Sequence, residues 1–231
     1  MALRTLAPSQ SWQLPLLLFS LALFGYAGYL FVDPQPAATV DQQLAAARAL
    51  LRQDRGEATI EVLNKLTKVG TLTKPQQGEV HLMLARALEV GQREKKVDLA
   101  TNHEQIVQQT LLAKQNDATL LADDFRRLGN SQAQVGQLAD AVASYRQAIA
   151  LDPQHELANH RRVIELLNED GKKAEAGEEL DKYLAIADVV DAERGWALGA
   201  KAQLLIDEGK YAESRGLLDQ AEKLAIVSDK T

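Results

Sequence analysis

DFRRLGNSQAQVGQLADAVASYRQAIALDP, running from Asp124 to Pro153, is the stretch on which the fold turns. Phe125 and Leu128 supply apolar bulk one helical turn apart, and Gly129 leaves room for a second helix to approach. Gly136 is placed to take the left-handed conformation that closes a helix. Beyond it, Ala141, Tyr145 and Ala148 recur at helical spacing, two small residues around one large ring. Asp152 and Pro153 suit the cap and first turn of a further helix, where the missing N–H of proline costs nothing. The pattern predicts a helical hairpin packed through small residues.

This order of bulky, small and breaking residues resembles the tetratricopeptide repeat (TPR), whose unit is about 34 residues. The family usually has Trp where Phe125 stands and Tyr or another large residue where Gln132 stands, so the match departs at two positions. The resemblance implies an all-α fold, a right-handed solenoid of helical hairpins in which each unit contacts only its neighbours.

Composition agrees. The chain has 231 residues, 46% of them hydrophobic but only 5% aromatic, a balance that favours helix over sheet. Net charge is −6, and no run of Lys and Arg is long enough to suggest a nucleic-acid surface. The absence of Cys excludes disulfides, thiolate metal sites, thiol catalysis and an acylated-Cys anchor.

Leu14 to Val32 carries no charged residue and, at about 1.5 Å per residue, can just cross a hydrocarbon core of about 30 Å. Trp12 lies at one end and Tyr26 and Tyr29 toward the other, as interfacial rings do. Arg4 before the span and Asp33 after it orient the N-terminus to the cytoplasm. The expected plan is a cytoplasmic N-terminus over 1–12, a transmembrane signal anchor over 13–32, a Pro-containing linker over 33–39 and the solenoid over 40–231. That describes a single-pass membrane protein with its repeats extracytoplasmic, in a periplasm. A cleaved signal peptide ending near Gly25-Tyr26-Ala27 is the alternative.

Thr39 with Gln42 and Thr73 with Gln76 fit capping boxes that open helices. Breaks at Gly56, Gly91, Gly136, Gly171 and Gly209 recur every 35 to 45 positions and divide the chain into about five helical pairs, one degenerate. The polar run after Gly91, up to about Thr101, is expected to be an inserted surface loop. The last helix presents Leu217, Leu218, Leu224 and Ile226 without a polar cap, a face for a partner or for further chain.

No catalytic motif emerges: there is no HExxH, GxSxG, GxxxxGK[ST] or GxGxxG, and no cofactor is expected. His81, His103, His155 and His160 show no ligand spacing and are expected to be solvated or capping. Asp123-Asp124 and Glu178-Glu179 are adjacent in sequence and are expected to lie on solvated faces.

Binding is the remaining chemistry. In the peptide-clamping branch of the family, basic and Asn residues on first helices grip a ligand's terminal carboxylate. Arg126 and Asn130 match one such pair in type and spacing, and Arg161 and Arg162 lie on the equivalent helix of the next unit. Ala200 stands where a third basic residue would be needed, so the expectation is a basic groove for an acidic segment rather than a full clamp. Trp196, on the same wall, either anchors a partner or packs on the neighbouring unit. The functional expectation is a non-enzymatic, membrane-tethered adaptor or scaffold at the cell envelope. Alternatives are an envelope assembly or chaperone factor, in secretion or cytochrome maturation, and the interaction head of a larger enzyme.

Overall fold

The structure is a computed structural model that describes residues 13–32, 38–68, 72–153, 156–186 and 189–228. Among these, eleven helices and no strand occur. They are α1 Gln13–Val32, α2 Val40–Arg52, α3 Gly56–Lys68, α4 Lys74–Lys95, α5 Ala100–Gln115 and α6 Ala122–Gln134. There follow α7 Leu138–Leu151, α8 Glu156–Glu169, α9 Lys173–Ala185, α10 Asp191–Asp207 and α11 Tyr211–Ser228. The chain divides into two compact units, Met1–Gln42 and Gln43–Thr231.

In the first unit, α1 forms over the stretch expected to anchor the chain. Its side chains are described for residues 14–29, and that length of helix spans about 24 Å, short of a hydrocarbon core of about 30 Å. Among the described residues no helix is long and apolar enough to cross a membrane. The expected single-pass topology, with a cytoplasmic N-terminus and periplasmic repeats, is overturned on that ground. Residues 1–12 and 33–37 of the expected N-terminus and linker lie outside the described residues.

The second unit holds α2 from Gln43 and all of α3 to α11, which form five helical pairs, α2/α3 through α10/α11, and from α3 onward each helix packs on the next. Both expected boxes open helices. Thr39 N–H donates to the Gln42 side chain at 2.9 Å, and Thr73 N–H to that of Gln76 at 3.0 Å. One cap ends all five first helices. The residues at 54, 96, 136, 171 and 209 all have positive φ, between 53° and 78°. In each case the following N–H reaches the carbonyl five residues back, as in Arg55 to Leu50 (3.0 Å), Val97 to Gln92 (3.0 Å) and Gln137 to Gln132 (2.8 Å). That bond satisfies a carbonyl which would otherwise be orphaned at the helix end.

Two of the expected breaks are therefore misplaced. Asp54 and Lys96, not Gly56 and Gly91, turn the chain. The two glycines serve close packing instead, since a Cβ on Gly56 would lie 2.4 Å from the Gly91 nitrogen. The expected loop from Gly91 to Thr101 is divided between the last turn of α4 and the start of α5, leaving only 96–99 between helices. Glu57 holds Lys95 at 2.9 Å, and the buried Gln92 side chain accepts the Leu99 N–H at 2.7 Å to lead into α5. Asp152 likewise closes α7 rather than opening α8, which begins at Glu156.

Packing inside the decisive hairpin follows the expected small-to-large scheme. A Cβ on Gly129 would sit 2.8 Å from the Tyr145 ring, and Ala141 and Ala148 are fully buried. Gln132, where the family prefers a large side chain, is buried and takes a 2.6 Å hydrogen bond from Ser144. A polar bridge between α6 and α7 stands in for apolar bulk. The principal core runs from Ala141 through Val163, Leu167, Leu180 and Tyr183 to Leu204, across α7 to α10. On α11, Tyr211 and Leu218 are exposed, while Ile226 lies outside the described side chains.

The shared cap makes a paired prediction. Lys96→Gly should stabilise by about 1 kcal/mol, because a left-handed conformation is strained for a residue with a Cβ. Gly56→Ala should destabilise by about 1–3 kcal/mol through overpacking against α4. Urea melts of the two variants check both signs, and a neutral Gly56→Ala would show that α3 and α4 are not in close contact there.

Candidate functional site

The five residues proposed for the binding wall fall into two clusters joined by one carboxylate. In the first, Tyr145 of α7 donates its hydroxyl to the Asn130 side chain and also meets the Arg162 guanidinium. Burial, ahead of the opposing effect of Arg162, pushes the Tyr145 hydroxyl pKa up. Arg126 pairs with Asp123 one turn back on its own helix. In the second, Arg161 lies 4.4 Å over the Trp196 ring and 3.4 Å from Glu193. Trp196 meets Tyr183 edge-on at 5.4 Å, and Tyr183 donates to Glu193 at 2.5 Å. Glu165 links the clusters, accepting from Arg161 at 3.3 Å and Arg162 at 2.6 Å.

Charge on this wall is spent internally. Arg126, Arg161 and Arg162 are matched in number by Asp123, Glu165 and Glu193, while the buried Nε of Arg126 has no hydrogen-bond partner among the described residues. Trp196 packs within the solenoid.

A cleft that the sequence reading missed lies between α2, α4 and α6, with a volume of about 660 Å³. Its floor is one face of α4, where Leu82, Met83 and Val90 alternate with Glu79, Arg86, Glu89 and Arg93. Those positions follow helical spacing, so the stripe was visible in the sequence. One side is Arg48, Leu51 and Arg52 from the end of α2 with Asp54 of the following turn, and the other is Thr119 and Arg127. Five guanidiniums line the cleft with three carboxylates, and the Asp124 carboxylate bonds two of them from behind, which leaves an excess of one positive charge in a chain of net −6.

Asp124, expected on a solvated face, is 1% exposed and stands behind this cleft. It accepts from Arg86 at 2.8 and 2.7 Å, from Arg127 at 2.9 Å and from the Leu121 N–H at 3.0 Å. Burial pushes its carboxyl up, but the bonds from Arg86 and Leu121 and the nearby charges outweigh that and hold it below its ordinary range. Arg127 also donates to Glu89 at 2.7 Å, and Arg48 meets Glu79 at 2.5 and 2.7 Å. Two arginines of the cleft are thus fixed from behind by one buried charge. Arg93 holds only a long 3.4 Å contact to the exposed Asp54, and Arg52 is exposed with no ion pair among the described residues.

Glu179 repeats the lesson of Asp124. It too is 1% exposed, bound to the buried His160 and, at 3.2 Å, to Lys182, with Arg146 at 3.5 Å. His160 therefore is a buried structural partner rather than the solvated group expected; His155 lies outside the described residues. His103 touches Asp98 at 2.5 Å and Ser131 at 3.1 Å, a grouping that resembles a hydrolytic triad. Ser131 is 1% exposed, so no substrate reaches its hydroxyl, and the grouping ties α5 to α6.

Burial alone would raise the Glu179 carboxyl, but the bonds from His160 and Lys182 bring its pKa down to about 2 from an ordinary 4.5. A lowered folded-state value means that the stabilisation is complete above about pH 4.5 and is lost as pH falls toward 2. Urea melts between pH 6 and pH 3 should therefore show a steeper loss of stability for the wild type than for Glu179→Gln. Parallel pH profiles would contradict the assignment.

The fold has solved counterparts. YrrB, described as a TPR protein with an unusual peptide-binding site, superposes with a TM-score of 0.58 at 12% identity, covering 89% of this chain and 98% of that one. MamA gives 0.57 at 15% identity, over 82% and 96%. The C-terminal part of a TPR repeat-containing protein from Cytophaga hutchinsonii gives 0.54 at 15%, over 78% of this chain and 64% of that one. No protein-family model and no curated protein matches the sequence. These likenesses establish a TPR-like α-solenoid.

Proposed function

We propose that the chain is a non-catalytic protein-interaction scaffold whose binding centre is the cleft between α2, α4 and α6. The observation that carries this reading is the cleft itself: an apolar stripe of α4 set among five arginines and three carboxylates, in a solenoid whose other charged wall is internally paired. Concave, mostly apolar sites with a few convergent polar groups are where ligands bind. YrrB, of the same fold, is described as having a peptide-binding site, which supports a peptide or protein as the class of partner. The wall of Arg126, Asn130, Arg161, Arg162 and Trp196 acts in this reading as a rigid spine that keeps α6, α8 and α10 in register.

Two single substitutions separate the surfaces. Thr119→Trp places a ring at the exposed rim of the cleft, and Arg161→Gln removes a charge from the wall. In affinity capture with the full chain, read by quantitative mass spectrometry, Thr119→Trp should lose at least about tenfold of the specific partners and Arg161→Gln should retain them. Retention by Thr119→Trp with loss by Arg161→Gln would move the binding centre to the wall.

A further inference from the structure

We infer that the cleft takes an acidic protein segment carrying at least one large apolar side chain, and that Asp124 is the positioning residue that prepares it for that ligand. The inference rests on the cleft being the binding centre and goes on to say what chemistry it selects.

Charge decides the sign of the ligand. Of the five cleft arginines, Arg86 and Arg127 are anchored on Asp124, which is buried and outside the cleft lining. Each spends part of its donor fork backward on that carboxylate and is held rigid by it. Less side-chain freedom is then lost when an incoming carboxylate meets the remaining donors. Arg52 and Arg93 at the rim are the opposite case. Arg93 and its partner Asp54 have side chains 67% and 78% exposed at 3.4 Å, a weak pair that an incoming carboxylate can replace at little loss. Arg52 has no pair to give up among the described residues. A cationic segment would face this excess of like charge and is disfavoured.

Apolarity decides the rest. Leu82, Met83 and Val90 form the floor and Leu51 borders it, so a ligand that offered only carboxylates would leave this surface wet. Met adapts to side chains of different shape, which suits a surface that accepts more than one apolar residue. Phosphate-rich polymers satisfy the arginines but not the floor. A protein segment satisfies both.

Four degenerate pools of fluorescein-labelled 12-residue peptides test this against the full chain by fluorescence anisotropy. They combine Asp/Glu with Leu/Ile/Phe, Asn/Gln with Leu/Ile/Phe, Asp/Glu with Ser/Gly, and Lys/Arg with Leu/Ile/Phe. The acidic–apolar pool should bind best, by at least about fivefold, and weaken as NaCl rises from 50 to 500 mM. Arg52→Glu with Arg93→Glu, both at exposed positions, should weaken that pool roughly tenfold. Asp124→Asn in a chain that still melts cooperatively should weaken it too, and the weakening should persist at saturating osmolyte, where a merely looser fold would recover.

Equal binding of the acidic–apolar and amide–apolar pools, both abolished by Thr119→Trp, would overturn the inference and leave the cleft as binding centre. Binding that survives Thr119→Trp would overturn the cleft reading itself. A single-stranded oligonucleotide that binds more tightly than the acidic–apolar pool would overturn the inference in favour of nucleic acid.

Discussion

A charged carboxylate with 1% of its residue exposed can remain in a helical solenoid only if every oxygen is met. Asp124 meets that demand with four bonds: two from Arg86 on α4, one from Arg127 on its own helix and one from the Leu121 N–H at the start of that helix. The first turn of α6 adds the positive end of the helix dipole. Two consequences follow. The second and third pairs can stack in only one register, because a slip would strand the charge. The same bonds aim two guanidiniums along the face where α2, α4 and α6 enclose the cleft. Helix register and the placement of two cleft arginines therefore depend on one group. Glu179 plays the first of these roles farther along, joining α7, α8 and α9 through Arg146, His160 and its own Lys182.

Much of the fold was legible because it rests on local rules. The capping boxes at Thr39 and Thr73, the left-handed glycines at 136, 171 and 209, and the Gly129–Tyr145 contact all follow from short-range chemistry. The turns at Asp54 and Lys96 escaped because non-glycine residues hold the left-handed position there, while the nearby glycines serve helix contact. A glycine announces conformational freedom or closeness, and the sequence does not say which. The stretch at 13–32 shows the other limit: its lack of charge was visible, but the described span falls short of what crossing a membrane requires.

The site was less legible, and for a physical reason. Residue type and spacing identified Arg126, Asn130, Arg161 and Arg162 as basic and polar groups on first helices, but not that they would pair with Asp123, Tyr145, Glu193 and Glu165. Burial of Asp124 and Glu179 was likewise hidden, since adjacent acids on a helix point in different directions and only packing decides which one turns inward. The cleft did leave a signal, the alternation of apolar and charged residues along one face of α4. That signal acquires meaning only when α2 and α6 supply the flanking arginines.

The central claim is that the Asp124 carboxylate couples α4 to α6. Its most direct test is a double-mutant cycle by urea denaturation, using Arg86→Met, Asp124→Asn and the two combined. Breaking the buried pair from either side should cost about 3–5 kcal/mol, since one polar partner is left buried without the other. The combined variant should be less destabilised than the sum of the two by at least about 1.5 kcal/mol, the signature of direct interaction. Additivity to within about 0.5 kcal/mol would show that the two residues act independently, and neither the register of the solenoid nor the poise of the cleft could then be traced to this carboxylate.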